Sequence, residues 1–216
     1  MIKIFNPDKL TRQPFFQELI AYMTEHDDII LRQIKKDFPE VKHLDRQLET
    51  YIQAGYIERK DKRYYLSLPL LTDLSQVSLE EMIFVDTESP IYEELLALRF
   101  ESETLNQTNV ARIFETTNIS RDELTLSNYF YKLRTAQPMS QEQDKLYHVL
   151  GDVNPEYALK YMTTFLLKYG RKDALMQKRP DIFVKSLEIL GYIEKNADDK
   201  YELRMDFDQD RLTFRA

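Results

Sequence analysis

Two stretches of the chain read almost alike: LETYIQAGYIERKDKRYYLSL at Leu48–Leu68 and LEILGYIEKNADDKYELRM at Leu187–Met205. Each ends an apolar segment on Gly-Tyr-Ile-Glu and a basic residue. Each then crosses a charged tip and resumes on a basic residue, Tyr, one variable residue and Leu. Gly55 pairs with Gly191, Tyr56 with Tyr192, Ile57 with Ile193, Tyr64 with Tyr201 and Leu66 with Leu203. Upstream, Tyr22-Met23-Thr24 pairs with Tyr161-Met162-Thr163. Met23 precedes Gly55 by 32 positions and Met162 precedes Gly191 by 29. A glycine after a periodic segment supplies the left-handed residue that stops a helix. Each copy is therefore expected to run helix, helix, helix, strand, tip, strand.

Periodicity and capping signals extend this reading. Leu44, Leu48, Tyr51 and Ile52 share one helix face, and His43, Arg46, Gln47 and Thr50 share the opposite one. Ser78-x-x-Glu81, Ser120-x-x-Glu123 and Ser140-x-x-Gln143 each fit a capping box. Ser89-Pro90 and Asn154-Pro155 place a cap before proline. The helices predicted are 14–25, 28–38, 41–54, 79–86, 90–103, 107–117, 121–136, 141–150, 155–169 and 181–190. Strands are expected at 56–59 and 63–68, and again at 200–207 and 211–214 around the turn-like Asp208-Gln209-Asp210.

The pattern of an apolar helix, x-Gly-Tyr-Ile, a charged tip and an alternating strand resembles the winged-helix superfamily. It covers residues 14–68 well and 155–207 less well. The fold class expected is mainly α (α+β), with winged-helix-like modules at both ends joined by a helical middle. The domains expected are 1–70, an acidic helical linker at 71–140, and 141–216. The opening IKIFNPDKLTRQPFF, with the first module, also resembles an uncharacterised family of lactic-acid bacteria, the domain-of-unknown-function 1803 family. That resemblance implies no activity.

Composition narrows the function classes. The 216 residues include no cysteine and only four glycines. Thiolate metal sites, disulfides and cysteine nucleophiles are excluded, and Gly-rich phosphate loops nearly so. The formal charge of −7 argues against a uniformly basic nucleic-acid binder. Residues 1–70 hold 12 basic and 11 acidic side chains, 71–140 hold 5 and 12, and 141–216 hold 13 and 14. The middle third thus carries the imbalance. No signal-peptide run and no apolar stretch of spanning length is visible, so a cytoplasmic, bacterial chain without membrane contact is expected.

Two surfaces follow as candidates. In the winged-helix likeness, helix three reads duplex DNA and the wing touches its backbone. This assigns DNA contact to Lys42, His43, Arg46, Gln47 and Thr50, with Arg46 and Gln47 at base edges, and backbone contact to Arg59, Lys60, Lys62 and Arg63. In the second copy Arg46 becomes Ile182 and Gln47 becomes Phe183. That apolar face suits packing, a protein partner or a homodimer. The aromatic spacing Tyr157, Tyr161, Phe165, Tyr169 reads as a core stripe. No catalytic motif stands out, and adjacent carboxylates such as Glu80-Glu81 diverge on a helix. A non-enzymatic protein without cofactor or metal is expected, either a DNA-binding regulator or a protein-interaction module.

Overall fold

Pro14 occupies the first position of a helix, where its missing N–H has no partner to lose. In the computed structural model, which describes residues 1–216, this helix follows β1 (Ile2–Phe5) and is α1 (Pro14–Glu25). Next come β2 (Ile29–Ile30), α2 (Leu31–Asp37), α3 (Leu44–Gln53), β3 (Ile57–Lys60), β4 (Arg63–Leu66), β5 (Ile83–Asp86) and α4 (Pro90–Ala97). These elements form one of two compact units, Met1–Ala97. Its core is built by Phe16, Leu19, Ile34, Leu48 and Tyr51, all essentially buried. Asp61 and Lys62 both adopt positive φ at the tip between β3 and β4. That is the mirror-type turn whose twist suits a tight hairpin. The small sheet runs β2-β4-β3, and β1 pairs antiparallel with β5 from Ile2↔Asp86 to Phe5↔Ile83.

The second unit, Leu98–Ala216, begins with β6 (Phe100–Leu105), β7 (Arg112–Thr117), α5 (Leu126–Thr135), α6 (Gln141–Leu150) and α7 (Pro155–Leu166). It continues through β8 (Ala174–Met176), α8 (Ile182–Ile189), β9 (Ile193–Lys195), β10 (Lys200–Leu203), β11 (Asp206–Asp208) and β12 (Thr213–Arg215). A mixed sheet runs β11-β12-β7-β6, with β12 parallel to β7, and a second sheet runs β8-β10-β9. Tyr129, Leu146, Met162, Leu187 and Phe214 belong to the core of this unit.

The internal repeat survives down to backbone hydrogen bonds. Gly55 and Gly191 sit at φ +80 and +75. Gly55 N donates to Ile52 O and Tyr56 N to Tyr51 O, while Gly191 N donates to Glu188 O and Tyr192 N to Leu187 O. These are paired Schellman closures. Ser67 N reaches Tyr56 O in the first copy, and Arg204 N reaches Tyr192 O in the second. Tyr22-Met23-Thr24 lies on α1 and Tyr161-Met162-Thr163 on α7. The second copy lacks a counterpart of α2: residues 177–181 form no helix.

The expected fold class is nevertheless overturned. The chain is α+β, with twelve strands in four sheets. It is not a pair of winged-helix modules joined by a helical middle. Residues 79–86 were expected to be helical, but their end is β5, where Ile83, Phe84 and Val85 are all buried. A consecutive buried run of this kind fits a covered strand better than an amphipathic helix. The helix expected at 90–103 stops at Ala97 and gives way to β6; the one expected at 107–117 is a turn followed by β7. Ile113, Glu115 and Thr117 point inward and alternate with outward Arg112, Phe114 and Thr116. Ser140 and Gln143 do form the reciprocal capping box. Ser78-Glu81 and Ser120-Glu123 do not start helices; α5 is capped by Thr125 instead.

Candidate functional site

The N-terminal candidate surface depends on how α3 begins. His43 adopts a left-handed conformation, φ 55, ahead of Leu44. The turn is closed by Gln47, whose Nε2 donates to Lys42 O at 2.8 Å. Gln47 Oε1 lies 3.3 Å from the Tyr51 hydroxyl, which also lies 3.1 Å from Gln13 Oε1. Burial pushes that Tyr51 phenol up to about 12. Gln47 is thus engaged with its own module. Thr50 Oγ1 donates back to Arg46 O at 3.0 Å.

The basic residues divide into two groups. Arg59 pairs with Glu49 at 3.4 Å, Arg63 reaches Asp28 O at 3.0 Å, and Lys35 pairs with Asp45 at 2.7 Å. Glu49 and Asp45 stand on α3 itself, so the helix presents acids alongside Arg46. Lys42, Arg46, Lys60 and Lys62 are exposed and stand outside these pairs. The nine residues expected to contact DNA do lie on α3, the turn before it and the β3–β4 hairpin. Four of them, Gln47, Thr50, Arg59 and Arg63, already have partners within the unit.

In the second unit, Asp181 caps α8 by accepting from Phe183 N at 2.8 Å and Val184 N at 3.1 Å. This fixes Ile182 pointing outward, 50% exposed, and Phe183 inward, 8% exposed. Phe183 is covered by α7: its ring stacks on Tyr161 at 5.1 Å and meets Tyr157 edge-on at 5.8 Å. Phe183, expected as a partner-binding residue, is a packing residue. The aromatic stripe is also divided. Phe165 is buried, but Tyr157 and Tyr161 are 52% and 43% exposed.

An open groove of about 470 Å³ lies beside Ile182. Lys178 and Arg179, on the β8–α8 loop, stand on its rim with Lys185 and Lys195; Val149, Ile182, Val184 and Tyr201 supply apolar lining. The cations were legible in the sequence. Residues 168–185 hold six basic side chains against Asp173 and Asp181. Counting the chain by thirds averaged that local excess away.

Two other polar features have structural roles. On the outer face of the mixed sheet, Arg112, Arg211 and Arg215 surround a depression of about 450 Å³. They pair with Glu103, Asp208 and Glu101 at 3.3, 3.7 and 2.5 Å. Every guanidinium there is already matched. Inside the unit, Glu115 is 2% exposed. Its two oxygens accept Leu126 N at 2.8 Å and Ser127 N at 2.9 Å, and the Tyr192 hydroxyl donates to the first. A strand carboxylate thereby satisfies the open amides at the start of α5. Burial pushes the Glu115 carboxyl above its ordinary range, against these donors, and raises the Tyr192 phenol as well. No group of three or more histidine or acidic side chains is arranged to hold a metal ion. No helix is long and apolar enough to cross a membrane.

The first compact unit ends at Ala97, and a sequence comparison draws its boundary at the same place. Residues 2–98 match the family model described as Domain of unknown function (DUF1803). The matched segment therefore coincides, to within a residue, with a unit that has its own core, and the candidate DNA-contacting residues all lie within it. The groove beside Ile182 lies in the other unit, outside the matched residues. No curated protein and no solved structure matches the chain.

Proposed function

We propose that the protein is a non-enzymatic interaction module that docks another protein through its second unit. The observation carrying this reading is the exposed apolar side chains of the second unit: Tyr157 and Tyr161 over the covered Phe183, and the outward Ile182 at the start of α8. Half-exposed aromatic and aliphatic side chains held rigidly by packing are the usual anchors of protein interfaces. The test is affinity capture by the full chain and by Ile182→Asp, with folding checked by circular dichroism. A partner retained by the parent chain and lost by the variant supports the reading. An identical set of captured proteins contradicts it.

A second reading assigns duplex DNA to the surface formed by α3 and the β3–β4 hairpin of the first unit. It is favoured by Lys42, Arg46, Lys60 and Lys62, which stand exposed and outside the ion pairs described above. Asp45 and Glu49 weaken it, because a phosphate backbone meets them on the same helix. A salt titration against duplex DNA tests it; absence of binding even at low salt removes it.

A further inference from the structure

We infer, building on the protein-interaction reading above, that the groove beside Ile182 receives an acidic partner segment carrying an aliphatic side chain. Charge complementarity points there. Four cations line the groove from three separate elements, against a single acid, Asp181. The Asp181 carboxylate is committed to two amides at the start of α8. Lys185 and Lys195 are held by Glu188 at 2.9 Å and Asp199 at 3.0 Å. Both ammonium groups are exposed, and exposed pairs of this kind contribute little. An incoming carboxylate can exchange with them. Lys178 and Arg179, on the loop before α8, are not held in an ion pair.

The apolar lining selects the rest of the ligand. Val149, Ile182 and Val184 offer aliphatic contact, and Tyr201 is the one aromatic side chain in the groove. Its ring already lies under Lys195 at 5.8 Å. Single-stranded nucleic acid favours stacking platforms beside its cations. The exposed rings of the unit, Tyr147, Tyr157 and Tyr161, do not line this groove. An aliphatic side chain flanked by carboxylates fits it better than a base flanked by phosphates.

The test uses the full chain and a fluorescein-labelled peptide of glutamates around a central Leu-Leu. A second peptide carries glutamine at every glutamate, and an oligothymidylate serves as the nucleic-acid probe. Binding is read by fluorescence anisotropy. The expected result is saturable binding of the glutamate peptide that weakens with salt. It should fall roughly tenfold or more in Lys178→Glu with Arg179→Glu, and in the milder Lys178→Gln with Arg179→Gln. Equal binding of the glutamine peptide, tighter binding of the oligothymidylate, or no change in either double variant overturns the inference. So does a mass that rises with concentration and falls in the double variants, since a second copy then fills the groove. If no glutamate peptide binds but Ile182-dependent capture persists, this inference falls alone. If that capture is absent, the reading beneath it falls.

Discussion

Replacing Tyr192 by Phe removes one hydroxyl from the core of the second unit and leaves its ring in place. That hydroxyl donates to Glu115 and stands 3.3 Å from Leu126 N. A hydrogen bond to a charged group contributes roughly 1.5–3 kcal/mol, so the variant is expected to lose about 2 kcal/mol where the Glu115 carboxyl is ionised. The loss should depend on pH in a defined direction. Burial raises the Glu115 carboxyl above its ordinary value, while the Tyr192 hydroxyl pulls it down. A carboxyl raised on folding contributes most below its unfolded pKa, and stability falls as pH rises through the folded pKa. Removing the hydroxyl raises the folded pKa further, and each added unit costs roughly 1.4 kcal/mol above it. The gap between parent and variant is therefore widest in alkaline solution and narrows on acidification. Urea unfolding at about pH 8 and about pH 5 measures it. A gap that is constant, or wider in acid, refutes the assignment of Glu115 as a buried group held by Tyr192.

Gly55→Ala and Gly191→Ala each place a side chain at positive φ with no steric obstacle nearby. Each is expected to cost roughly 1–2 kcal/mol in urea unfolding, the cost of the left-handed backbone alone. Leu48→Ala empties part of the first core and should cost about 2–5 kcal/mol by the same measurement. A fragment of residues 1–98 retains that core complete and should unfold cooperatively by circular dichroism; a non-cooperative melt argues against an autonomous unit. Under the DNA reading, Arg59→Glu with Lys62→Glu abolishes duplex binding, as checked by an anisotropy titration at low salt; unchanged binding removes the hairpin from that surface.

The sequence made the repeat legible because its signals are local. A helix stop, a tip and an alternating strand lie within some twenty residues, and each is set by residue type. Gly55 and Gly191 could therefore be assigned from their neighbours. Residues 79–117 were misread because their partners are remote. Ile83–Asp86 has strand β1 as its partner at the opposite end of the unit, and β7 takes β12 beside it. Glu115 concealed the alternation of β7 further, since a carboxylate reads as outward-facing. Its inward position is sustained by Tyr192 and by the amides of α5, which no window around residue 115 contains. The candidate site was legible in part for the same reason. Ile182 follows from alignment to Arg46, but Phe183 is covered by rings from α7. The residues expected to contact DNA lie on one helix, the turn before it and one hairpin, all local elements, whereas the pairing of Arg59 with Glu49 and of Gln47 with Lys42 depends on tertiary geometry.

The most direct test of the proposed docking surface is site-specific photocrosslinking in living cells. A benzophenone amino acid replaces Ile182 in one chain and Lys62 in another, and the adducts are identified by mass spectrometry. Discrete protein adducts from position 182, absent from position 62, are the predicted result. Adducts to DNA from position 62, with none to protein from position 182, contradict the account.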